Sequence, residues 1–145
     1  MSDPLYRKDL LRLAADAAGA GRLTHPDASA TAHNPACGDR VTVDVQMRDG
    51  HIAALAHHTQ ACVLTQASAA ILGARAQGLS PAEIQALAER VAAMLNGGPA
   101  PSPPFSAFGV FDGVAEHKGR HVCVMLPFKA LLEALVVSET AKPGA

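Results

Sequence analysis

Tryptophan is absent from the 145 residues, tyrosine occurs once and phenylalanine four times. A chain with so few rings has little on which to stack bases. Its twelve basic residues are matched by thirteen acidic ones, for a formal net charge of -1, so no positive field draws it to phosphate backbones either. Nucleic acid is therefore excluded as the expected partner. The first ten residues carry both charge signs, at Asp3, Arg7, Lys8 and Asp9, and lack the uninterrupted apolar core of a secretory signal. The stretch 51–74, free of Asp, Glu, Lys and Arg, is broken by His57, His58, Thr59, Gln60, Thr65 and Gln66 and is no membrane span. Only three cysteines are present, at 37, 62 and 123. Three cannot all pair within one chain, and a reducing cytoplasm keeps them as thiols. The expectation is a cytoplasmic protein without a membrane anchor, its cysteines serving metal binding, sulfur chemistry or burial.

Also missing are a Gly-rich phosphate loop, a G-x-S-x-G elbow and an H-E-x-x-H pair, so nucleotide-binding and hydrolase readings have no basis in the sequence. What is present is a chain 49% hydrophobic and 17% charged, the balance of a globular protein. Its length fits one domain, residues 1–145, large enough to bury a core without staples.

The patterning predicts the elements. Asp3 before Pro4 reads as an N-cap and first-turn proline, and Leu5, Leu10, Leu13 and Ala17 continue at helical spacing to about Ala18, where Gly19 and Gly21 stop the helix. A polar segment then leads through His25 and Pro26 to His33. From Val41 the period changes to two. Val41, Val43, Val45 and Met47 point one way, Thr42, Asp44, Gln46 and Arg48 the other. Asp49-Gly50 is a two-residue hairpin signal that sets Met47 opposite Ile52 and Val45 opposite Ala54. After Cys62 a helix is expected over 63–77, stopped by Gly78. Ser80-Pro81-Ala82-Glu83 is a capping box that opens a helix with an apolar stripe of Ile84, Leu87, Val91 and Met94. Residues 97–104 form a Pro/Gly-rich loop. A last helix is expected from about Pro127, burying Phe128, Leu131, Leu132 and Leu135, with Cys123 just upstream, and the tail 138–145 reads as frayed.

The chemistry lies at element boundaries. Asn34-Pro35-Ala36-Cys37-Gly38-Asp39 is a turn-rich segment before the first predicted strand that can present a thiol and a carboxylate in one direction. Cys62 sits at the start of a predicted helix, where unpaired N–H groups and the positive dipole end favour a thiolate. Cys123 follows Lys118, Arg120 and His121, whose charges act in the same sense. Each cysteine taken alone also fits simple burial. No C-x-x-C knuckle supports metal binding, so that reading rests on convergence of the boundaries at one end of the fold. Three soft thiolates and one carboxylate suit zinc, and equally a bridged iron-sulfur cluster made labile by its single non-thiolate ligand. His33 and His121 adjoin cysteines and are candidate outer donors to the site, as is Arg120. His57 and His58 point to opposite faces of a strand and cannot join one site; both read as a solvated strand end.

These residues resemble the IscU/NifU/SufU group of iron-sulfur cluster assembly proteins over nearly the whole chain. The resemblance is carried by Leu5-Tyr6-Arg7, by Asn34-Pro35-Ala36-Cys37-Gly38-Asp39, by Cys62 with Thr65-Gln66-Ala67-Ser68-Ala69, and by Gly113-Val114 leading to Arg120-His121-Val122-Cys123. It implies an α+β fold of the SufE/NifU type, a small antiparallel sheet packed against several helices, with Cys37, Asp39, Cys62 and Cys123 gathered at one end. IscU-like members carry histidine immediately before the last cysteine, whereas this chain has Val122 there. Arg120 and the long stretch from Cys62 to Cys123 point to the SufU-like branch. Glycines usual before the middle cysteine are replaced by Thr59-Gln60-Ala61.

The resemblance implies a cysteine desulfurase of the SufS/IscS kind as sulfur donor and iron-sulfur carriers or apo-proteins as recipients. Two functions follow from it. One is a scaffold for a transient iron-sulfur cluster on the four residues. The other is a zinc-dependent sulfurtransferase in which the same residues hold zinc and Cys123 accepts persulfide sulfur. A structural zinc domain without transfer chemistry is the third reading.

Overall fold

Three antiparallel strands among the described residues, adjacent in chain order, form one sheet with an apolar face, and helices cover that face. The computed structural model describes residues 8–35 and 38–141. Along the chain it runs α1 (Lys8–Asp16), β1 (Ala28–Asn34), β2 (Asp39–Arg48), β3 (His51–Gln60), α2 (Val63–Arg75), α3 (Pro81–Leu95), 3-10 turns over Ser106–Val114 and Lys118–Arg120, and α4 (His121–Ala141). This is the expected α+β architecture. The N-cap and first-turn proline expected at Asp3 and Pro4 lie outside the described residues.

The alternation read in β2 sets the sheet's sidedness. Val41, Val43 and Val45 are buried and face Ala32, Ala30 and Ala28 on β1. α4 lies across β1 and β2, with α2 beside it toward β3, α3 packed on α4, and α1 on α2. The hairpin turn has positive φ at Asp49 (53°) and Gly50 (78°), the type I′ geometry that its sequence demands. Met47 pairs with Ile52 as expected, but a bulge between Gln46 and Met47 shifts the rest of the register, so Val45 faces Leu55 rather than Ala54. The shift puts a large apolar side chain opposite Val45 on the buried face.

Two elements depart from the sequence reading. The segment before His33 contains a third strand, β1, which pairs along its whole length with β2. Its sequence, ASATAHN, has small residues where a strand signal needs β-branched or aromatic ones, and pairing with β2 supplies what propensity does not. The last helix begins at His121, not near Pro127, so Pro127 lies inside it. A proline there has no N–H for the Cys123 carbonyl four residues back. The adjacent carbonyl, Val124, accepts a hydrogen bond from the buried Ser68 hydroxyl of α2 at 2.7 Å. α2 and α4 are thus stitched together one residue beyond Cys123. α4 continues to Ala141, three residues past the expected start of the tail. It is long and apolar enough to cross a membrane, yet Val124, Leu126, Phe128, Ala130, Leu131, Ala134 and Leu135 are all buried in the core.

The capping box of α3 forms as written: Ser80 Oγ accepts from the Glu83 N–H, and the Glu83 carboxylate accepts from the Ser80 N–H. α2 stops at Arg75, two residues early, and Gly78 takes a positive φ of 90° just beyond it. The stretch after the proline loop is not featureless. Phe108 and Phe111 of the 3-10 turn are fully buried, with Phe108 tilted against Phe128 at 5.4 Å between ring centroids.

The segment joining α1 to β1 lies beside β3 and then crosses the outer face of the sheet. The His57 N–H bonds the Gly19 carbonyl and the Gly21 N–H bonds the His57 carbonyl. His57 is not a solvated strand end. Its ring is buried, with Nε2 donating to the Ala18 carbonyl and Nδ1 meeting the Thr59 hydroxyl, both at 2.9 Å, while His58 is exposed on the other face. Burial holds the His57 imidazole below its usual range, against the Ala18 carbonyl, which favours the proton; nearby His58 lowers it further. On the outer face the fully buried Asp44 carboxylate anchors the crossing segment, accepting from Arg22 Nε at 2.7 Å, Arg22 Nη2 and the Leu23 N–H at 3.0 Å, and the Ser29 hydroxyl.

Candidate metal centre

The strand ends nearest α2 and α4 build one cluster. Asp39 opens β2 and has the same pleat parity as Val41, which directs its side chain to the covered face, where it is buried opposite Asn34. β3 stays paired as far as Gln60, opposite Arg40, so Cys62 emerges two residues later beside Asp39. Cys62 is the N-cap residue of α2, half-buried, with its carbonyl already accepting from the Gln66 N–H. Cys123 is the third residue of α4 and is buried. Two helix N-termini therefore bring their positive dipole ends to one spot, each carrying a thiol.

Ligand atoms of Asp39, Cys62 and Cys123 all lie within 4.8 Å of one another. Ligands at about 2.0 to 2.3 Å from a tetrahedral zinc ion stand roughly 3.5 to 3.8 Å apart, so the three are spaced for a small ion with a contraction of about 1 Å. Two thiols and a carboxylate also have the chemistry for it. Cys37, the fourth expected member, lies outside the described residues; the Gly38 N–H that follows it in sequence bonds the Asn34 carbonyl at 2.8 Å.

Electrostatics make the metal-free arrangement unfavourable for charge. Burial foremost, then the charge and hydrogen bond of Cys62, push the Cys123 thiol up to about 12; the hydrogen bond from Arg120 opposes them and the Asp39 charge adds to them. A divalent cation held by the three groups would reverse that balance.

The outer candidates divide. Arg120 reaches the site through its hydrogen bond to Cys123. His121 does not; its Nε2 is bonded to the Ala115 carbonyl at 3.0 Å. His33 pairs with Arg40 on the opposite face of the sheet and is exposed, because one residue of strand separates it from the parity of Asn34. Lys118 is exposed.

One contributor enters the sequence reading only as part of the resembling motif, without a role at the site. Thr65, the third residue of α2, is fully buried, with its Oγ1 3.4 Å from Asp39 Oδ2 and 3.5 Å from Cys62 Sγ. Its spacing of three from an N-cap cysteine places its side chain on the same face of the helix as the thiol, which is the signal that finds it.

Comparison with known proteins identifies the family. The NifU-like N-terminal domain family matches residues 5–124. The chain is 26% identical over 131 residues to the iron-sulfur cluster assembly scaffold protein IscU of Thermotoga maritima, covering 90% of this chain and 92% of that protein. It superposes on the crystal structure of the N-terminal part of a nitrogen-fixing NifU-like protein from Brucella abortus with a TM-score of 0.90 at 35% identity, over 95% of this chain and 96% of that one. A candidate iron-sulfur cluster assembly scaffold protein for the SUF system from Fervidobacterium islandicum AW-1 shares the fold, with a TM-score of 0.83 at 21% identity over 93% and 99% of the two chains. Since the family match spans most of the chain and the Brucella structure superposes almost end to end, the chain belongs to the NifU-like N-terminal domain family.

Proposed function

We propose that this chain is an iron-sulfur cluster assembly protein that accepts sulfur from a cysteine desulfurase and scaffolds a transient iron-sulfur cluster on Cys37, Asp39, Cys62 and Cys123. The observation that carries the reading is the convergence of Asp39, Cys62 and Cys123 within 4.8 Å. The Thermotoga relative, a cluster assembly scaffold, supports it. The reading needs the cysteines as thiols, a state that the reducing cytoplasm maintains, so the cytoplasm is the proposed place of action.

Sulfur enters by thiol–persulfide exchange. The Cys123 sulfur attacks the terminal sulfur of the donor persulfide and a new S–S bond forms at Cys123. The donor's S–S bond breaks, and the desulfurase cysteine leaves as a thiol carrying the proton that Cys123 gives up. No net oxidation accompanies this transfer. Cys123 is buried, so the site must open to admit the donor. Cluster formation then takes iron ions and, for each sulfur, two electrons from a reductant of the thiol or electron-transfer-protein class to give sulfide. Asp39, a harder and weaker ligand to iron than a thiolate, keeps the cargo transferable to carriers or apo-proteins.

The second reading, a zinc-dependent sulfurtransferase, is supported by the SufU-like position of Arg120, whose side chain acts on Cys123. There Asp39, Cys62 and Cys123 with Cys37 would hold zinc, whose charge stabilises thiolates. Metal analysis and visible absorption of the purified protein, repeated after anaerobic incubation with iron, cysteine and a desulfurase, separate the two. The scaffold reading expects a transferable chromophore without a zinc requirement. Stoichiometric tight zinc, no cluster bands and strong stimulation of desulfurase turnover would overturn it in favour of the transferase.

A further inference from the structure

From the geometry around α2, we infer that Thr65 is a positioning residue for the metal centre: its hydroxyl ties the Asp39 carboxylate to the Cys62 sulfur and sets how Asp39 meets the metal. The inference deepens the reading of Asp39, Cys62 and Cys123 as metal ligands and rests on it.

Thr65 has no exposed surface. A hydroxyl has one proton and two acceptor sites, and a buried one left unbonded is costly. The Thr65 hydroxyl meets both candidate ligands: Thr65 Oγ1 donates to Asp39 Oδ2 at 3.4 Å and lies 3.5 Å from Cys62 Sγ. That hydrogen bond occupies Oδ2 and leaves the other carboxylate oxygen for an ion, which would favour monodentate binding by Asp39. Thr65 is also rigid. It is held in the first turn of α2, its χ1 is restricted by β-branching, and the next helical turn is fixed by Ser68 bonding the Val124 carbonyl of α4. One side chain thus references a β2 carboxylate and the N-cap thiol of α2 to the helix that packs on α4. Hydrogen-bond partners of this kind orient metal ligands and tune their affinity.

The test compares wild type, Thr65→Val and Thr65→Ser in the full chain. Valine keeps the volume and branching without the hydroxyl; serine keeps the hydroxyl. Zinc affinity is measured by competition with a chromophoric chelator, and cobalt(II) is substituted to record its ligand-field bands. Thermal unfolding of each metal-free protein reports structure independently. We expect roughly a tenfold loss of zinc affinity and shifted cobalt bands in Thr65→Val, with Thr65→Ser restoring both. Thr65→Val binding zinc as wild type does, or Thr65→Ser binding as weakly as Thr65→Val, overturns the positioning role. Should Thr65→Val not fold, Thr65→Ala against Thr65→Ser carries the same comparison, and equal affinities overturn it. Failure of the wild-type protein to bind zinc or cobalt at all would instead refute the metal centre itself.

Discussion

Replacing Gly73 by alanine should destabilise the protein, although the same change in an exposed helix is stabilising. Gly73 lies in α2, where the chain after α1 passes directly against it. A Cβ built at Gly73 falls 2.1 Å from the Ala18 carbonyl oxygen and 2.8 Å from its carbon. Ordinary carbon–oxygen contacts are about 3.3 Å or longer, so the connection must retreat by roughly 1 Å. Gly19 is no relief, since its own Cα would stand 3.0 Å from the new methyl group. The retreat also pulls the Ala18 carbonyl from buried His57 Nε2, now bonded at 2.9 Å. Overpacking costs about 1 to 3 kcal/mol, and a buried ring nitrogen left unbonded about 1 to 3 more. The helix-propensity gain of about 1 kcal/mol offsets part of this. The net is a loss of about 1 to 5 kcal/mol. Thermal unfolding of the metal-free protein should then show Tm falling by several degrees, on the order of 10 °C for the middle of that range. Urea denaturation should agree, with an unchanged m-value. Combined with His57→Gln, the effect should be less than additive because the two share the Ala18 carbonyl. A Tm equal to or above that of wild type would refute the close-approach argument.

Acid stability should fall in two windows. His57 is held neutral, below its usual range, so it contributes stability fully present above about pH 6.5 that is lost as pH falls below that value. Asp44 follows at lower pH. Burial raises its carboxyl, but the hydrogen bonds from Arg22, Ser29 and the Leu23 N–H, with the Arg22 charge, outweigh that and hold it below the carboxylate range. Its contribution is present above about pH 4 and lost below it. Urea unfolding at a series of pH values should show both slopes, with His57→Gln flattening the first and Asp44→Asn the second. Ser68→Ala leaves the Val124 carbonyl without its α2 partner and should cost about 1 to 3 kcal/mol while loosening Cys123 against Cys62, read as weaker zinc binding by chelator competition. Ser80→Ala removes the α3 cap and should cost about 1 kcal/mol in urea unfolding with zinc affinity unchanged, because the neighbouring Leu79 is bonded to Ile52, at the opposite end of β3 from the ligands.

Where the sequence spoke through local chemistry it was legible. The capping box at Ser80 and Glu83, the Asp49-Gly50 turn and the alternating valines of β2 each name their structure through short-range physics. β1 was not legible, because Ala and Ser alternate too weakly in hydropathy and only pairing with β2 makes them a strand. Pro127 misplaced the start of α4, since proline marks helix beginnings more often than interiors, and here the Ser68 bond accompanies its presence. The bulge near Met47 has no sequence signature. At the site, element boundaries placed Cys62 and Cys123 at helix N-termini, which holds for both, although Cys123 lies inside its helix rather than before it. The histidines failed as candidates for reasons of direction: strand parity turns His33 away, and the Ala115 carbonyl captures His121. Direction is what a linear sequence encodes least, and Thr65 was passed over for the same reason.

The central claim, that Asp39 and the cysteines form one metal centre, is tested most directly by zinc-edge X-ray absorption of the zinc-loaded protein. One zinc per chain is expected in a sulfur-dominated shell at about 2.3 Å with one oxygen at about 2.0 Å, the oxygen being perturbed in Asp39→Ala and sulfur lost in both Cys62→Ser and Cys123→Ser. A shell of nitrogen and oxygen alone, or one that these three substitutions leave unchanged, would contradict it.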